Sequence, residues 1–492
     1  MQNPIGSKAG RRLRNSGLVV AAGMAALLTS CMVGPKYVKP PVTTAPAYSE
    51  QPPASYQESQ GWKTAQPGDT AIRGNWWEIF GDAELNALEE QVAPANQTLK
   101  VAEANFRAAR AAIQFNRSFE YPTISAGPSI THNRISGNSP AGFPGRQYGN
   151  FLVPINVSYD ADLWGRVRRS VTQARDQYQA TAADLENVKL ELQTEVAVDF
   201  FEARSADAQK KLLDDTVVAY TRALELTQNR FVGGVAAKTD VAQAQTLLDQ
   251  TQAQEIDIEV ARDQFEHAIA VLTGKPPEGF RVPELALQHA PPVIPVDVPA
   301  RLLERRPDIA GAERRMAAAN EQIGIAKSAF FPDLVLSATG GLNAGNISNL
   351  FTWPSRYWAV GPQMVETLFD AGRRRSQVDT AIAGYDANVA NYRQTSLTAF
   401  QEVEDNLAAL RILEREEAKQ HEASLSAENS LQLSLNRYKG GLVTYLEVIT
   451  AQSIALTNER TEVDLRRRRM DASVLLIKAL GGGWDASKLP KK

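Results

Sequence analysis

The side chains that could do chemistry are few, and their spacing matches no common catalytic or metal-binding motif. The chain has four histidines and one cysteine: His132, His267, His289, His421 and Cys31. None of the histidines stands in the His-Glu-x-x-His spacing with which one helix presents two imidazoles to a zinc ion. Paired carboxylates such as Glu402 and Glu404 fall within a long helical pattern, where solvated or lumen-facing positions are expected. The sequence therefore predicts no catalytic, cofactor-binding or metal-binding residue, and no enzyme.

Cys31 is the one residue for which the sequence indicates a specific modification. The segment before it carries four basic residues, Lys8, Arg11, Arg12 and Arg14, and then the small and apolar run from Gly17 to Leu28. This order is typical of a signal peptide. Leu28-Thr29-Ser30-Cys31 resembles the bacterial lipoprotein box, in which the cysteine is diacylated and becomes the first residue after cleavage. An ordinary signal peptide beside a chance cysteine is the alternative. We expect residues 1–30 to be removed and Cys31 to carry a covalent lipid.

The expected anchor and the charge of the chain bear on where the protein acts. Two acyl chains hold a protein stably on a membrane, whereas one does not. The residue after Cys31 is Met32 and not the aspartate that keeps many such lipoproteins at the inner membrane, so the resemblance favours the outer membrane. The whole chain has a formal net charge of −3, and loss of the four basic residues leaves −7. An acidic, exported protein is not expected to bind nucleic acid.

The chain carries an internal duplication. When the sequence is shifted by 207 residues, Gly165-Arg166 aligns with Gly372-Arg373, and the motif at 229–234 aligns with the motif at 436–441. Such self-similarity indicates two copies of one structural unit. We expect a proline-rich tether at 31–75, a first repeat at 76–282, a linker at 283–306, a second repeat at 307–481 and a tail at 482–492.

Each copy predicts a helix, two strands and a long helical hairpin. Residues 166–232 contain neither glycine nor proline, and such a helix would be about 100 Å long. The hairpins are expected at 166–273 and 373–480. The glycine pairs Gly233-Gly234 and Gly440-Gly441 would end the first helix of each hairpin with a left-handed cap. Thr444 and Glu447 have the spacing of a capping box at the start of the last helix.

The short segments at 123–160 and 333–368 predict four β-strands. In the first copy Val153, Ile155 and Val157 alternate with Asn156 and Ser158, the weak signature of a transmembrane β-strand. Strands of a soluble sheet would give the same pattern, and only the expected lipid favours the membrane. Four strands cannot close a barrel, and an open edge cannot face lipid. Membrane strands would therefore require several chains: two would supply eight strands, and three would supply twelve.

Together these features resemble the TolC-like outer-membrane efflux family, in its lipoprotein (NodT-type) branch. The motifs that carry the resemblance are Leu28-Thr29-Ser30-Cys31, Trp76-Trp77-x-x-Phe80-Gly81-Asp82, Leu368-Phe369-Asp370-x-Gly372-Arg373 and the two glycine-pair tips. The resemblance implies a homotrimer with a twelve-stranded outer-membrane β-barrel, continued by a periplasmic α-helical barrel with an equatorial girdle built partly from residues 275–300. It implies a passive exit duct that docks with a periplasmic adaptor protein and an inner-membrane pump of the RND type. A lipid-anchored coiled-coil spacer is the alternative.

The resemblance also implies roles for particular residues. The tips would line the periplasmic entrance and meet the adaptor: Arg230, Phe231, Gly233, Gly234, Arg437, Tyr438, Gly440 and Gly441. Leu431 and Leu435 are candidates for a gate, although packing inside the hairpin explains them equally well. Glu366-Thr367 departs from the Ser/Trp-Pro pair that the family often has before Leu-Phe, so the packing of the fourth strand is open. The cargo is not indicated.

Overall fold

The architecture is dominated by two very long helices. The computed structural model describes residues 32–53, 74–138, 143–287, 290–294 and 302–490. In chain order the helices are α1 (Ala83–Ala95), α2 (Gln97–Ser118), α3 (Arg166–Val232), α4 (Lys238–Leu272), α5 (Leu302–Arg305), α6 (Pro307–Ser328), α7 (Arg373–Lys439) and α8 (Tyr445–Ala479). Helices α3 and α7 have 67 residues each, so each is about 100 Å long. The expected mixture of long helical hairpins and strands is confirmed.

The short helices lie alongside the long ones in matching positions of the two copies. Helix α3 packs against α4 to form the first hairpin, and α7 packs against α8 to form the second. Helix α2 packs on α3, while α6 lies between α3 and α7 and contacts both. The sequence predicts one helix before the strands of the first copy, but the structure has two, α1 and α2, with a break at Asn96. The Asn96 side chain accepts a hydrogen bond from the Leu99 amide and so caps α2.

One antiparallel sheet occupies the opposite end of the long helices from the hairpin turns. Its strands are β1 (Thr123–Ala126), β2 (Ser129–Arg134), β3 (Gln147–Asp160), β4 (Asp333–Ala344) and β5 (Arg356–Val365). The order is β1-β3-β4-β5, with β2 also paired to β3. The expected first strand is therefore divided in two, since Pro128 has no N–H to give to the ladder. The sheet keeps four strand positions and two open edges.

The two faces of the sheet differ in polarity. Residues directly opposite each other on paired strands point to the same face, so the register puts Ile155 and Trp358 on one face, both opposite Gly340. Asn156 and Thr339 are paired on the other face, where the threonine hydroxyl donates to the asparagine side-chain oxygen at 2.9 Å. The apolar face is exposed to an unusual degree. Its exposed members include Ile124, Ile130, Ile155, Leu336, Trp358, Val360 and Met364.

The largest hydrophobic core lies near the middle of the long helices. Trp76, Trp77 and Phe80 form a short buried helix that packs there. They belong to one cluster with residues of α1, the Leu190–Phe201 part of α3, the ends of α4 and α8 and the middle of α7. Val282, Ile294 and Leu302 from the segment between the copies join the same cluster. Residues of both copies thus pack into one core near the middle of the long helices.

Candidate functional site

Both hairpins turn through the same set of backbone hydrogen bonds. In the first, the amide of Val235 donates to the carbonyl of Arg230, and the amide of Gly234 donates to the carbonyl of Phe231. Leu442, Gly441 and their acceptors repeat this pattern in the second hairpin. This is the Schellman arrangement, which satisfies carbonyls that a helix end leaves free. Duplicated sequence has produced a duplicated turn.

Only the second glycine of each pair is left-handed. Gly234 and Gly441 have φ values of 73° and 72°, which residues with a Cβ adopt at a cost. Gly233 and Gly440 have φ values of −74° and −73° and continue the helical geometry. The expectation of a left-handed cap is therefore correct for one glycine in each tip. The first glycine lies within the Schellman turn, where any residue type can adopt its conformation.

Arg230 links the tips of the two hairpins. Its Nη1 donates to the carbonyl of Lys439, at the end of α7, over 3.0 Å. Its guanidinium also lies over the ring of Tyr438, 4.6 Å from the ring centre, a cation–π contact. Because the last carbonyls of a helix have no partner inside it, Arg230 serves as a cap supplied by the other hairpin.

The matching arginine of the second hairpin makes a different contact. Arg437 donates to the Glu447 carboxylate at 2.8 Å, within its own hairpin. The predicted capping box is therefore wrong: Glu447 is engaged by Arg437, and the Thr444 side chain makes no capping hydrogen bond. The sequence could have suggested the ion pair, since both charges flank the same turn. It could not suggest that Arg230 would cross to the neighbouring hairpin.

A small aromatic core lies just above the tips. Tyr438 and Tyr445 pack with ring centres 5.2 Å apart and ring planes tilted by 58°, and both are buried with Tyr220 and Leu224. Burial raises the pKa of Tyr445 to about 12. Leu435 packs partly buried against this cluster, as the packing interpretation requires. Its role and that of half-buried Leu431 as a gate stay predictions.

The outer surface of the tips is apolar. Val232 and Leu442, which flank the glycine pairs, are 86% and 74% exposed. Phe231, Val235 and Leu446 are also exposed large hydrophobic residues. Exposed apolar clusters of this kind mark interaction sites more often than isolated surface leucines do.

The N-terminal segment 32–50 lies along the helices and reaches the junction between sheet and helices. The amide of Val33 donates to the Trp164 carbonyl, and Arg169 Nε donates to the Val33 carbonyl at 2.7 Å. Further along, the Tyr37 hydroxyl donates to the Glu313 carboxylate at 2.6 Å. The amides of Ser49 and Glu50 donate to Glu404, so this carboxylate holds the segment and is not simply solvated.

Arg169 is the buried anchor of this segment and was not singled out by sequence reasoning. The side chain is 2% exposed and pairs with Glu321 at 2.6 Å. Its other nitrogens donate to the carbonyls of Val33 and Pro35. The arginine-rich segment at 166–169 is a visible signal, but nothing in the sequence distinguishes buried Arg169 from Arg166 and Arg168, which are more exposed.

The histidines, which are the side chains best suited to catalysis or metal binding, lie on separate elements in the part of the chain that the structure describes. His421 Nδ1 lies 3.0 Å from a Glu462 carboxylate oxygen, while His132 and His267 lie on β2 and α4. Cys31 and His289 fall outside the described residues. Within those residues, no group of three or more histidine, cysteine or acidic side chains is placed to hold a metal ion. None of the described helices is long and apolar enough to cross a membrane.

The chain is similar to known proteins along nearly its whole length. The family described as outer membrane efflux protein matches residues 88–275 and 298–482. The solvent efflux pump outer membrane protein SrpC of Pseudomonas putida is 31% identical over 464 residues, which is 94% of this chain and 97% of that protein. OprJ of Pseudomonas aeruginosa is 31% identical over 474 residues, covering 95% and 97%. The solved structure of the outer-membrane channel OprN superposes with a TM-score of 0.84 at 27% identity, over 92% of this chain and 100% of that one.

Proposed function

The chain belongs to the outer membrane efflux protein family, and from this premise we propose that three copies assemble into the exit duct of a tripartite efflux system. The protein is an outer-membrane channel and not an enzyme. One observation carries the proposal: a sheet with two open edges and two unlike faces continues into helices about 100 Å long. The duct would conduct its cargo from the periplasm to the outside without changing it.

The open edges of the sheet support an assembly of several copies. One edge is formed by β1 and β2 and the other by β5, and each exposes unpaired backbone groups. Inside a bilayer no water is present to satisfy such groups, so the edges must pair with other strands. Three copies with four strand positions each would close a twelve-stranded barrel. Two copies would give eight, the size of the smallest bacterial barrels.

The polarity of the two faces supports the direction in which the sheet would curve. The face of Ile155 and Trp358 would meet lipid, and the face of Asn156 and Thr339 would line the water-filled interior. In membrane barrels an apolar outside and a polar inside alternate along every strand. Trp358, 79% exposed in the single chain, would be covered by acyl chains.

The hairpin tips would form the periplasmic entrance and the docking site of the adaptor. Exposed Phe231, Val232 and Leu442 provide an apolar surface at the end of the stalk. The link from Arg230 to Lys439 and Tyr438 would hold the two hairpins of one chain together. Opening would then require the adaptor to loosen this link and repack the hairpins, a shift between two arrangements of the same helices.

A covalent lipid on Cys31 would anchor the protein beside its barrel. Met32, the next residue, packs against Gly165 at the junction between sheet and helices. We also assign 76–282 and 307–481 as the repeat units, 283–306 as the equatorial linker and 482–492 as the tail. The mid-height core that includes Val282, Ile294 and Leu302 supports the equatorial placement of the linker.

The energy for transport would come from an inner-membrane pump of the RND type. Relatives are named for solvent and toluene efflux, but a shared exit duct passes whatever its pump delivers. The sheet and the family membership favour the duct over a lipid-anchored spacer, because a spacer has no use for a large exposed apolar sheet face.

Electron microscopy of the detergent-extracted mature protein tests the assembly. We expect hollow cylinders with threefold symmetry end-on and a stalk of roughly 100 Å side-on. The same preparation in planar bilayers should conduct ions. Solid rods, or single chains that conduct nothing, would contradict the duct.

A further inference from the structure

A groove with an apolar interior and charged side chains at its rim lies directly below the sheet, between helices α3, α6 and α7. Its cavity volume is about 920 Å³. Three arginines reach it, one from each helix: Arg166, Arg315 and Arg373. Arg166 and Arg373 are equivalent positions of the two copies and begin the two long helices. The duplication therefore brings two guanidinium groups to the same level of the molecule.

The groove faces away from the N-terminal segment. The N-terminal segment covers one face of α6, where Glu313 binds Tyr37 and Asn320 binds the Pro35 carbonyl. Arg315 and Gln322 line the groove and lie two residues further on, about 200° around the helix. The groove and the N-terminal segment are thus on opposite faces of α6.

The position of the groove relative to the sheet is a second, independent indication of the side on which it opens. Arg166 forms an ion pair with Asp160, which belongs to the same face of β3 as Asn156 and Ser158 because these positions alternate. This is the face that would line the barrel. The groove therefore continues the polar interior of the sheet downward, and in the proposed duct it opens onto the lumen.

Arg373 is the arginine that is available to bind an anion. Arg166 is paired with Asp160 and Arg315 with Asp184. The Arg373 side chain is exposed and makes no ion pair or hydrogen bond with the described residues. The amides at the helix starts are already used, because Asp162 accepts from Val167 and Asp370 accepts from Arg374. Any further anion must therefore be held by side chains, and three guanidinium groups face two carboxylates.

Small apolar side chains form one part of the groove lining, its floor, and Gly384 is exposed at one side. Polar side chains such as Gln322, Gln377 and Thr380 form the rest. A Cβ at Gly384 would meet no atom within 4 Å, so the backbone leaves open space there. A flat hydrocarbon group fits such a surface, and charged nitrogens at the rim would hold an acidic group. The floor includes Ala318, Ala319, Ala326, Ala329 and Ala381.

We propose that this groove binds organic anions in transit, namely carboxylates or sulfonates that carry a flat apolar body. The inference rests on the proposed duct, since it gives the upper lumen a preference among the molecules that enter from below. In a trimer the groove occurs three times at one level, so the sites form a ring just under the barrel. Guanidinium groups suit this task because they stay charged at any physiological pH and bind oxyanions in a forked geometry.

The test measures binding separately from transport. The mature protein is placed in nanodiscs of phosphatidylcholine, which has no net charge, and equilibrium dialysis is carried out at low salt with empty discs subtracted. The probes are 1-naphthalenesulfonate and the neutral 1-naphthalenemethanol, which share one ring system. We expect the wild-type protein to prefer the sulfonate. Arg373→Gln should weaken sulfonate binding roughly tenfold, the size of one charge-assisted hydrogen bond, and leave the alcohol unchanged.

Two further variants separate the site from general effects of charge and folding. Arg375→Gln removes the same charge two residues away, outside the groove, and should leave both probes unaffected. Gly384→Phe keeps every charge but fills the open space, and it should weaken both probes. Equal affinity for sulfonate and alcohol, or an Arg373→Gln variant that binds like the wild type, would overturn the proposal. A protein that still forms conducting cylinders in that case would leave the duct itself intact.

Discussion

Arg169 illustrates at the scale of one residue how the N-terminal segment is held. A guanidinium that is 2% exposed is tolerated only because Glu321 and the carbonyls of Val33 and Pro35 surround it. Burying a charge is costly unless it is paired and hydrogen-bonded. The segment therefore does more than tether the chain, since its backbone completes the environment of a buried cation.

Replacing Arg169 should strongly destabilise the protein. Arg169→Ala leaves Glu321, itself 7% exposed, as a buried charge without its partner, and we expect a loss of about 3–5 kcal/mol. Arg168→Ala is the control, because the Arg168–Asp162 pair is partly exposed and should contribute at most about 1 kcal/mol. Thermal unfolding of both variants measures the difference. Equal unfolding temperatures would show that the N-terminal segment does not depend on Arg169.

Glu89 should make stability depend on pH. The side chain is 1% exposed, neither carboxylate oxygen has a hydrogen-bond partner among the described residues, and burial raises the pKa well above 4.5. Above pH 4.5 the unfolded chain releases this proton while the folded chain keeps it. The free energy of unfolding must therefore fall as the pH rises from about 4.5 toward the folded-state pKa.

Glu89→Gln is the variant that tests this linkage. It should be more stable than the wild type at pH 7 and should lose this part of the pH dependence, because glutamine carries no proton to release. Glu90→Gln changes the exposed neighbour and should behave like the wild type. Urea unfolding at several pH values measures the slopes, and identical slopes for the wild type and Glu89→Gln would refute the assignment.

At the scale of elements, local and distant interactions differ in how far the sequence predicts them. The glycine-free and proline-free run at 166–232 predicts helix α3 because helical hydrogen bonds join residues four apart. The alternation in β3 predicts a strand for the same local reason. Contacts between distant segments, such as Arg230 with Tyr438 or Tyr37 with Glu313, depend on how the helices pack side by side. No spacing along the chain encodes that packing.

The turn at each tip predicts that replacing the two neighbouring glycines by alanine has very different effects on stability. Gly441→Ala forces a Cβ into the left-handed region and should cost about 1–2 kcal/mol. Gly440→Ala occupies right-handed geometry and should be neutral or slightly stabilising, because alanine reduces the freedom of the unfolded chain. Thermal unfolding compares the two variants. A larger cost at Gly440 would mean that the second tip does not adopt this turn.

The link between the hairpins predicts a functional asymmetry between two equivalent arginines. Arg230→Gln removes the contact from the first hairpin to Lys439 and Tyr438, so the proposed entrance should open more easily and single-channel conductance should rise. Arg437→Gln breaks a contact within one hairpin and should change conductance less. Planar bilayer recordings of both variants decide the matter. If Arg437→Gln raised the conductance more, the link would not lie at Arg230.

At the scale of the whole molecule, the two faces of the sheet differ in polarity, and in the proposed duct the apolar face would meet lipid while the polar face would line the lumen. Trp358→Arg would put a charge against acyl chains and should destabilise the membrane-inserted protein, by at most about 2–4 kcal/mol, which is the cost at mid-depth. Ala359→Arg, one residue further on the opposite face, should insert normally and change ion selectivity instead. Urea titration in liposomes measures the first effect, and reversal potentials measure the second. Normal insertion of Trp358→Arg would contradict this orientation.

The position of Met32 means that the expected lipid anchor would be connected to the fold by a very short stretch of chain. Met32 lies against Gly165, although it is 48% exposed, and Val33 is held by hydrogen bonds on both its amide and its carbonyl. Cys31 is therefore two residues from Val33, whose backbone is fixed in the fold, and a lipid on Cys31 would be joined to the fold by a very short segment. It would set the height of the whole molecule relative to the membrane surface, so that anchor and wall move as one body.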